Sequence, residues 1–207
     1  MKRAVTRADA SGDDAASGRK QFIVRTAARL FAAQGYKATT MDVLAEACAI
    51  NKATLYYYYT SKADLLLDIS MSVQRELQPL SALAGESPEA IAGLMLLASG
   101  IVNIANSDRD AFAVYFQESA HFKQYLSEAQ YAVFRDAERS MMKVVYGILN
   151  RGMYSGELID CDVRYVGRLL VFMVLSVARW PEPQIDVERV IASITVLLSG
   201  LVKPEPA

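Results

Sequence analysis

Hydrophobic residues recur every three to four positions along most of the chain, which is the period of an amphipathic α-helix. The strict alternation that would predict a β-strand does not occur in the sequence. Capping residues, glycines and prolines divide the pattern into separate helices. The predicted helices span about residues 18–34, 41–48, 51–58, 62–84, 88–105, 108–120, 123–151, 162–180 and 186–200. The sequence therefore predicts an all-α fold.

The ends of the first helix and the start of the fifth are the clearest boundaries. Ser17 is a suitable N-cap for the first helix, and Gly35 is suited to ending it. Residues 1–17 lack periodicity and are rich in Ala, Ser and Asp, so we predict a disordered tail there. Gly85 stops the fourth helix, and Ser87 restarts the chain as the N-cap of a fifth, almost wholly apolar helix.

Two short helices joined by a tight break lie between Thr39 and Lys62, which is the helix-turn-helix arrangement. Threonine hydroxyls can cap the first helix, which we predict to begin at Met41. The second begins at Asn51, and its first turn carries polar side chains that have no apolar partner. In helix-turn-helix proteins this turn presents side chains to base edges in the major groove. The stretch therefore predicts a DNA-binding unit.

The residues that we predict to contact DNA occupy the starts of the two short helices, the length of the second, and the start of the next. They are Thr40, Met41, Asn51, Lys52, Thr54, Tyr56, Tyr57, Tyr58 and Lys62. Tyrosine hydroxyls suit phosphate oxygens, and Lys62 is predicted to contact a phosphate. The alternative is a helical hairpin packed in the core of an unrelated protein.

The distribution of charge supports DNA binding at one end of the chain, although the net charge of −1 alone does not. Residues 1–62 hold ten Lys or Arg and five Asp or Glu, a balance of +5. The remaining residues hold twelve and eighteen, a balance of −6. A basic N-terminal module on an acidic body is what binding to a polyanion through one end requires.

At these residues the chain resembles the TetR family of one-component transcriptional regulators. The match spans about Arg25 to Leu67 and contains, in order, Ala-x-x-Leu-Phe, Gly-Tyr, paired Thr, Leu-Ala, Thr-Leu-Tyr-x-Tyr and Ser-Lys-x-x-Leu. Tyr58 and Tyr59 stand where the family often has His-Phe. The resemblance implies an N-terminal three-helix DNA-binding domain over residues 18–62 and a C-terminal helical bundle for effector binding and dimerisation over residues 63–207.

The C-terminal half is similar to the branch of that family that responds to acyl-CoA and related thioesters. The similar stretches are residues 114–119, 149–152 and 176–181. In that branch an Arg-Trp pair lies near the CoA portion of the ligand, which implies phosphate pairing by Arg179 and ligand packing by Trp180. Aromatic residues could line the cavity, although core packing explains each one alone as well. The candidate effector-binding residues are Tyr115, Phe116, His121, Phe134, Arg179 and Trp180.

The last two predicted helices, from Asp162 to Arg179 and from Asp186 to Gly200, carry more apolar residues than packing against a monomer core would use. The family resemblance implies that they pair with their copies in a homodimer, whereas burial within one subunit is the alternative. A two-fold dimer would place two recognition helices ~34–36 Å apart and would fit a palindromic operator.

Enzymatic chemistry has little support in the sequence. His121 and Glu118 form half of a carboxylate-bridged metal site, but the chain has no second histidine. Neither a glycine-rich phosphate loop nor a Ser-His-Asp set stands out, so we expect no catalysis, no metal and no cofactor.

The cysteines and the apolar runs bear on location. Cys48 and Cys161 lack metal-binding spacing, and without a signal peptide we expect a reduced, cytoplasmic setting. The uncharged runs at residues 90–107 and 190–202 are too polar or too short to span a membrane.

The combined expectation is a ligand-responsive repressor whose effector moves the fourth helix and separates the two recognition helices of the dimer. The effector must then bind the separated state more tightly than the DNA-bound state. Three alternatives stay open: a transcriptional activator, a DNA binder without an effector, and a helical enzyme or carrier with a borrowed DNA-binding module.

Overall fold

The computed structural model describes residues 9–180 and 184–204, with side chains from Ser17 onward except at Ala178. This part of the chain forms α1 (Asp9–Gln34), α2 (Met41–Ala47), α3 (Lys52–Tyr58), α4 (Lys62–Glu86), α5 (Ala90–Ser107), α6 (Arg109–Glu118), α7 (Phe122–Tyr125), α8 (Glu128–Ser155), α9 (Val163–Leu175) and α10 (Val187–Ser199). Its extended pairing is limited to one isolated β-bridge, between Leu158 and Val202. The all-α prediction is confirmed.

The chain divides into two compact units, Met1–Ile69 and Ser70–Ala207. The first unit contains α1, α2, α3 and the start of α4, whose apolar faces share one core. Its largest fully buried side chains are Ile23, Phe31, Leu44, Leu55, Leu65, Leu66 and Ile69. The predicted domain boundary at residues 62–63 falls at the first residue of α4, whereas the first unit extends into that helix as far as Ile69.

The second unit is a helical bundle built around α5. This helix packs against α6, α8, α9 and α10. It is also the one helix among the described residues that is long and apolar enough to cross a membrane, by length and composition. Half of its residues are buried in the bundle, from Ala90 to Ala105, which is the position of a core helix.

The start of α5 differs from the prediction, because its cap comes from a distant residue. The helix begins at Ala90, and the predicted cap, Ser87, donates its hydroxyl to the carbonyl of Glu89 at 3.0 Å. The carboxylate of Glu157 accepts from the N–H groups of Ala90 at 2.7 Å and Ile91 at 2.8 Å. A negative side chain there satisfies the first backbone donors and suits the helix dipole.

The single helix predicted over residues 123–151 is wrong, because the chain breaks before α8. Ser127 caps α8: its hydroxyl accepts from the N–H of Gln130 at 3.3 Å, and the Gln130 side chain accepts from the N–H of Ser127 at 2.9 Å. This reciprocal pair is a capping box, which ends the short α7 and starts a new helix. At its other end α8 continues to Gly156, whose φ of +78° closes it.

The first and ninth helices also differ from the prediction at one end. The chain is helical from Asp9, so α1 starts before Ser17 and includes the second half of the predicted tail; residues 1–8 lie outside the described residues. Alanines and early acidic residues favour that longer helix. The helix predicted to reach Trp180 ends as α9 at Leu175 and tightens into a 3₁₀ turn, Ser176–Arg179, before a proline in the sequence.

Two helix glycines test the close packing of α4 against α5. A Cβ atom on Gly93 would lie 2.7 Å from the carbonyl oxygen of Ala84, whereas one on Gly147 in α8 would meet nothing within 4 Å. We expect Gly93→Ala to lower the free energy of unfolding by about 1–3 kcal/mol, because the backbone of α4 must move. Gly147→Ala should raise it by about 0.5–1 kcal/mol through helix propensity. Urea denaturation at one fixed protein concentration measures both, and equal stability of Gly93→Ala and wild type would contradict the close approach.

Candidate functional site

The turn between α2 and α3 reverses the chain through a left-handed residue. Ala49 has a φ of +51°, which costs a residue other than glycine about 1–2 kcal/mol. The N–H groups of Ala49 and Ile50 donate to the carbonyls of Glu46 at 2.9 Å and Ala45 at 3.0 Å. These bonds fix the direction in which α3 leaves the turn. The helix-turn-helix prediction is confirmed.

Two residues predicted to contact DNA cap the short helices. The Thr40 hydroxyl accepts from the N–H of Val43 at 3.3 Å. Asn51 lies just before α3, and its side-chain oxygen accepts from both the N–H of Thr54 at 2.7 Å and the Thr54 hydroxyl at 2.9 Å. These hydrogen bonds hold the first turns in which base-contacting side chains are expected.

Lys52 forms an ion pair that links the first turns of α2 and α3. Its Nζ lies 2.7 Å from one carboxylate oxygen of Asp42 and 3.1 Å from the other. Both side chains are exposed, at 53% for Lys52 and 70% for Asp42. The hydrogen bond and charge of Asp42 raise the pKa of Lys52, so its ammonium stays protonated.

The four consecutive tyrosines of the motif have different environments. Tyr57 is 84% exposed and packs edge to face against the half-buried Tyr58, with ring centroids 5.3 Å apart. Tyr56 is also exposed. Tyr59 is buried, and its hydroxyl donates to Asp68 at 2.7 Å, where Lys20 also pairs at 3.2 Å. The end of α3 is thereby fixed to the start of α4.

Lys62 is bound to the protein rather than directed to solvent. Its Nζ donates to the backbone carbonyls of Tyr36 at 2.6 Å, Thr39 at 2.8 Å and Lys37 at 3.4 Å. It also lies 4.3 Å from the centre of the Tyr36 ring. Three acceptors occupy all three donors of an ammonium. These contacts hold the loop between α1 and α2, and a phosphate contact by Lys62 stays a prediction.

Five predicted residues remain exposed along α2, α3 and their caps, and we call them the reading surface: Thr40, Asn51, Lys52, Tyr56 and Tyr57. Three more predicted residues are half-buried beside them: Met41, Thr54 and Tyr58. Hydroxyl groups, an amide and one ammonium on two short helices can donate to phosphates and base edges. This arrangement suits DNA.

The predicted effector residues lie in different surroundings. Tyr115 and Phe134 are core residues, buried and 5.9 Å apart between ring centroids. The Tyr115 hydroxyl accepts from Gln74 at 2.8 Å. Burial, with a smaller effect of the Glu138 carboxylate, raises the pKa of Tyr115, and burial also raises the pKa of Glu138.

The other four predicted effector residues are nearer the surface. Phe116 packs on Phe172 with 5.5 Å between ring centroids, and His121 stacks on Tyr125 at 5.8 Å. Arg179 and Trp180 are exposed, and the carbonyl of Trp180 accepts from Arg109 at 2.8 Å.

The second unit contains a cleft of about 430 Å³ between α4 and α8. It is lined by Met71, Gln74, Arg75, Gln78, Ser81, Ala82, Asp136, Ala137, Ser140, Met141 and Val144. None of the six predicted effector residues is among these lining residues. The cleft was not predicted from the sequence, because its lining mixes polar residues with methionine, alanine and valine from two amphipathic helices. The sequence feature that could have indicated a cleft is the presence of two polar residues, Gln74 and Ser81, in the apolar stripe of α4. Both side chains are buried in the structure.

Both α9 and α10 carry large exposed apolar side chains, which we call together the α9–α10 face: Tyr165, Leu169, Phe172, Val196 and Leu197. The three residues of α9 are spaced four and three residues apart, so they lie along one side of that helix. Exposed apolar surfaces of this kind mark interaction sites. Dimerisation through this face stays a prediction.

Metal binding and thiol reactivity both have little support in the described part of the chain. No group of three or more His, Cys, Asp or Glu residues there could hold a metal ion. Cys48 is buried and Cys161 half-buried, and burial raises the pKa of both thiols, which disfavours the reactive thiolate.

Comparison with known proteins identifies the family. A model described as "Bacterial regulatory proteins, tetR family" matches residues 23–69. A second, "Tetracyclin repressor-like, C-terminal domain", matches residues 88–197, which is more than half of the chain. The chain belongs to the TetR family. It is therefore a helix-turn-helix transcriptional regulator that binds DNA, as the motif between Thr39 and Lys62 predicted.

Relatives of this TetR-family chain cover nearly its whole length. The HTH-type transcriptional repressor KstR2 of Rhodococcus jostii is 24% identical over 193 residues, 91% of this chain and 93% of that protein. The structure of PfmR from Thermus thermophilus matches with a TM-score of 0.78 and 26% identity, over 88% of this chain and 96% of that one. The structure of AibR in complex with isovaleryl coenzyme A and operator DNA has a TM-score of 0.78 at 19% identity, over 88% and 99%, which shows the shared fold.

Substituting Lys62 separates its structural role from the predicted phosphate contact. We expect Lys62→Met to destabilise the protein by about 2–3 kcal/mol, because half-buried carbonyls lose a charged donor. Lys52→Met should change stability little, because its ion pair is exposed. Thermal melting followed by circular dichroism compares the two. If Lys62→Met melts at the wild-type temperature and the salt slope of its DNA binding falls by the value of about one phosphate contact, Lys62 contacts a phosphate instead.

Proposed function

We propose that this TetR-family protein is a ligand-responsive repressor that binds a palindromic operator as a homodimer and is released by a small effector. One observation carries the proposal. α4 begins in the DNA-binding unit and, further along, provides one wall of the cleft in the second unit. A ligand in that cleft contacts the helix that leads to the reading surface. The repressor function of KstR2 supports repression, and the complex of AibR with isovaleryl coenzyme A and operator DNA supports binding of both an operator and a small molecule.

We propose that the dimer forms through the α9–α10 face, with α9, its 3₁₀ extension and α10 packed against their copies. Phe172 is 63% exposed and Leu169 is 68% exposed. Leaving large apolar side chains in water costs stability that a second copy restores. A two-fold arrangement also provides two reading surfaces, which suits a palindrome.

We propose that the effector is a CoA thioester or a related amphipathic acid. The cleft has the size of a small-molecule site. Methionine and alanine side chains give it apolar walls, and the side chains of Gln78 and Arg75 contain hydrogen-bond donors. The Ser140 hydroxyl, which donates to the carbonyl of Asp136 at 2.9 Å, can still accept a hydrogen bond. An arginine suits a phosphate or carboxylate. Arg179 and Trp180, exposed but outside the cleft lining, remain the proposed contacts for a CoA portion that extends from it.

We propose that effector binding changes the affinity for DNA through a bend in α4 at Pro79. Pro79 lies inside the helix, where its ring crowds the preceding turn and its nitrogen cannot donate, which favours a kink. Gln78 lines the cleft before this point, and Ser81 lines it after. A ligand that contacts both sides can change the bend of α4. It releases the operator if it binds the bent state more tightly.

We propose that the protein acts as a regulator in the cytoplasm and does not catalyse a reaction. An activator or a DNA binder without an effector would share the same reading surface, and the response to the ligand distinguishes them from a released repressor.

Removing one hydroxyl from the reading surface tests operator binding. We expect Tyr57→Phe to weaken binding to a palindromic duplex selected from a random pool by roughly tenfold, because a hydrogen bond to a charged phosphate is lost. The matched control is Tyr154→Phe, since Tyr154 is 98% exposed on α8. Gel shifts give the affinity and the number of protomers per duplex. Equal affinities for the two variants would exclude Tyr57 as a contact, and one protomer per duplex would contradict the dimer.

Calorimetry with acyl-CoAs, free CoA and free fatty acids tests the effector. We expect an acyl-CoA to bind and to lower DNA affinity 5- to 150-fold, a coupling of ~1–3 kcal/mol. Arg75→Gln and Arg179→Ala should each weaken acyl-CoA binding and leave DNA binding of the ligand-free protein unchanged. Binding of the fatty acid alone, with both arginines irrelevant, would contradict the thioester and leave the repressor proposal intact.

A further inference from the structure

We propose that Asp42 sets the DNA specificity of this regulator by holding Lys52 in an exposed ion pair, from which Lys52 is released only when the operator offers better acceptors. The inference rests on the proposed DNA-binding role of the reading surface and adds a residue that suppresses binding to unrelated sequences. Asp42 acts through Lys52, so it is a positioning residue rather than a DNA contact.

The charge of the two helices makes this pair important. Residues 41–58 contain one basic residue, Lys52, and two acidic residues, Asp42 and Glu46. The helix-turn-helix segment therefore carries a net charge of −1, although its ligand is a polyanion. Binding without sequence preference depends on cations that neutralise phosphates and release counterions. With Lys52 held by Asp42, this segment adds little to that attraction. Lys62, which lies just beyond the segment, is held by three backbone carbonyls.

The geometry permits Lys52 to exchange partners. Both oxygens of Asp42 lie within 3.1 Å of Nζ, so the ammonium has a defined position in the absence of DNA. The pair is exposed, and exposed pairs are weak. A phosphate or a guanine edge at the correct distance can therefore replace the carboxylate. On an unrelated sequence, where α3 does not seat in the groove, the pair persists and Asp42 keeps neutralising the charge of Lys52.

Asp42→Asn tests the proposal, because asparagine keeps the shape of the side chain and removes its charge. The matched control is Glu46→Gln, which makes the same charge change on the same helix at an exposed residue. Fluorescence anisotropy gives the dissociation constant for each of two DNA probes at a series of KCl concentrations. One is a fixed duplex of random sequence, and the other is the palindromic duplex of equal length selected from a random pool.

We expect Asp42→Asn to bind the random duplex roughly three- to tenfold more tightly at about 100 mM salt and to increase its salt slope by about 0.9, the value of one further phosphate contact. The affinity for the selected palindrome should rise less, so the ratio between the two probes falls. Glu46→Gln should change the random-duplex affinity less than Asp42→Asn and leave the ratio near that of wild type.

A double substitution shows whether the effect passes through Lys52. Asp42→Asn combined with Lys52→Met should bind the random duplex like Lys52→Met alone. Asp42→Ser, which keeps a hydrogen-bond acceptor in the first turn of α2, repeats the test if Asp42→Asn melts at a lower temperature.

Three results would overturn the inference: equal effects of Asp42→Asn and Glu46→Gln, an unchanged random-duplex affinity, or an effect that persists without Lys52. Failure of the proposed function is a separate result, because wild-type protein would then select no palindrome and show no preference between the probes.

Discussion

The DNA-binding unit depends on one ammonium group placed among backbone carbonyls. Lys62 at the start of α4 reaches the loop between α1 and α2, where Tyr36, Lys37 and Thr39 present their oxygens. A loop of this kind has no helix or strand to satisfy its carbonyls, and leaving them unpaired would cost stability. Since α2 begins directly after the loop, its direction follows from this contact. At the other end of the motif, the carboxylate of Asp68 receives both the Tyr59 hydroxyl and an ion pair from α1.

The reading surface is rich in hydroxyl groups and poor in charge. Lys20 and Lys62 serve the fold, so the sequence's basic N-terminal balance overstates the positive charge that the motif can present to DNA. The strength of a hydrogen bond from a hydroxyl group depends strongly on distance and direction, whereas the attraction between an ammonium and a phosphate depends on them less. Such a surface suits discrimination between sequences better than general attraction to phosphate.

The sequence predicted well what local rules determine. The two short helices, their break and the all-α class follow from hydrophobic period and from caps such as Thr40, and all are confirmed. The break before α8 was not predicted, although the Ser127 to Gln130 capping box that makes it is a local feature of the sequence. The cap of α5 is not local, because Glu157 is remote in sequence. Tertiary packing is also beyond the sequence: Tyr115 and Phe134, predicted to contact an effector, are buried in the core, and their contact with an effector stays a prediction. Periodicity identifies the face of a helix, but it does not show which polar faces of two helices enclose a cavity.

The cap on α5 has a consequence for how the second unit is assembled. The chain must be synthesised past Glu157 before Ala90 and Ile91 can receive their hydrogen bonds. The same residue accepts at its carbonyl from Lys203, so the last described segment also closes on it. Contacts of such long sequence separation close large loops and form late in folding. The first turn of the central helix therefore gains its cap only after a segment more than sixty residues later in the chain has folded against it.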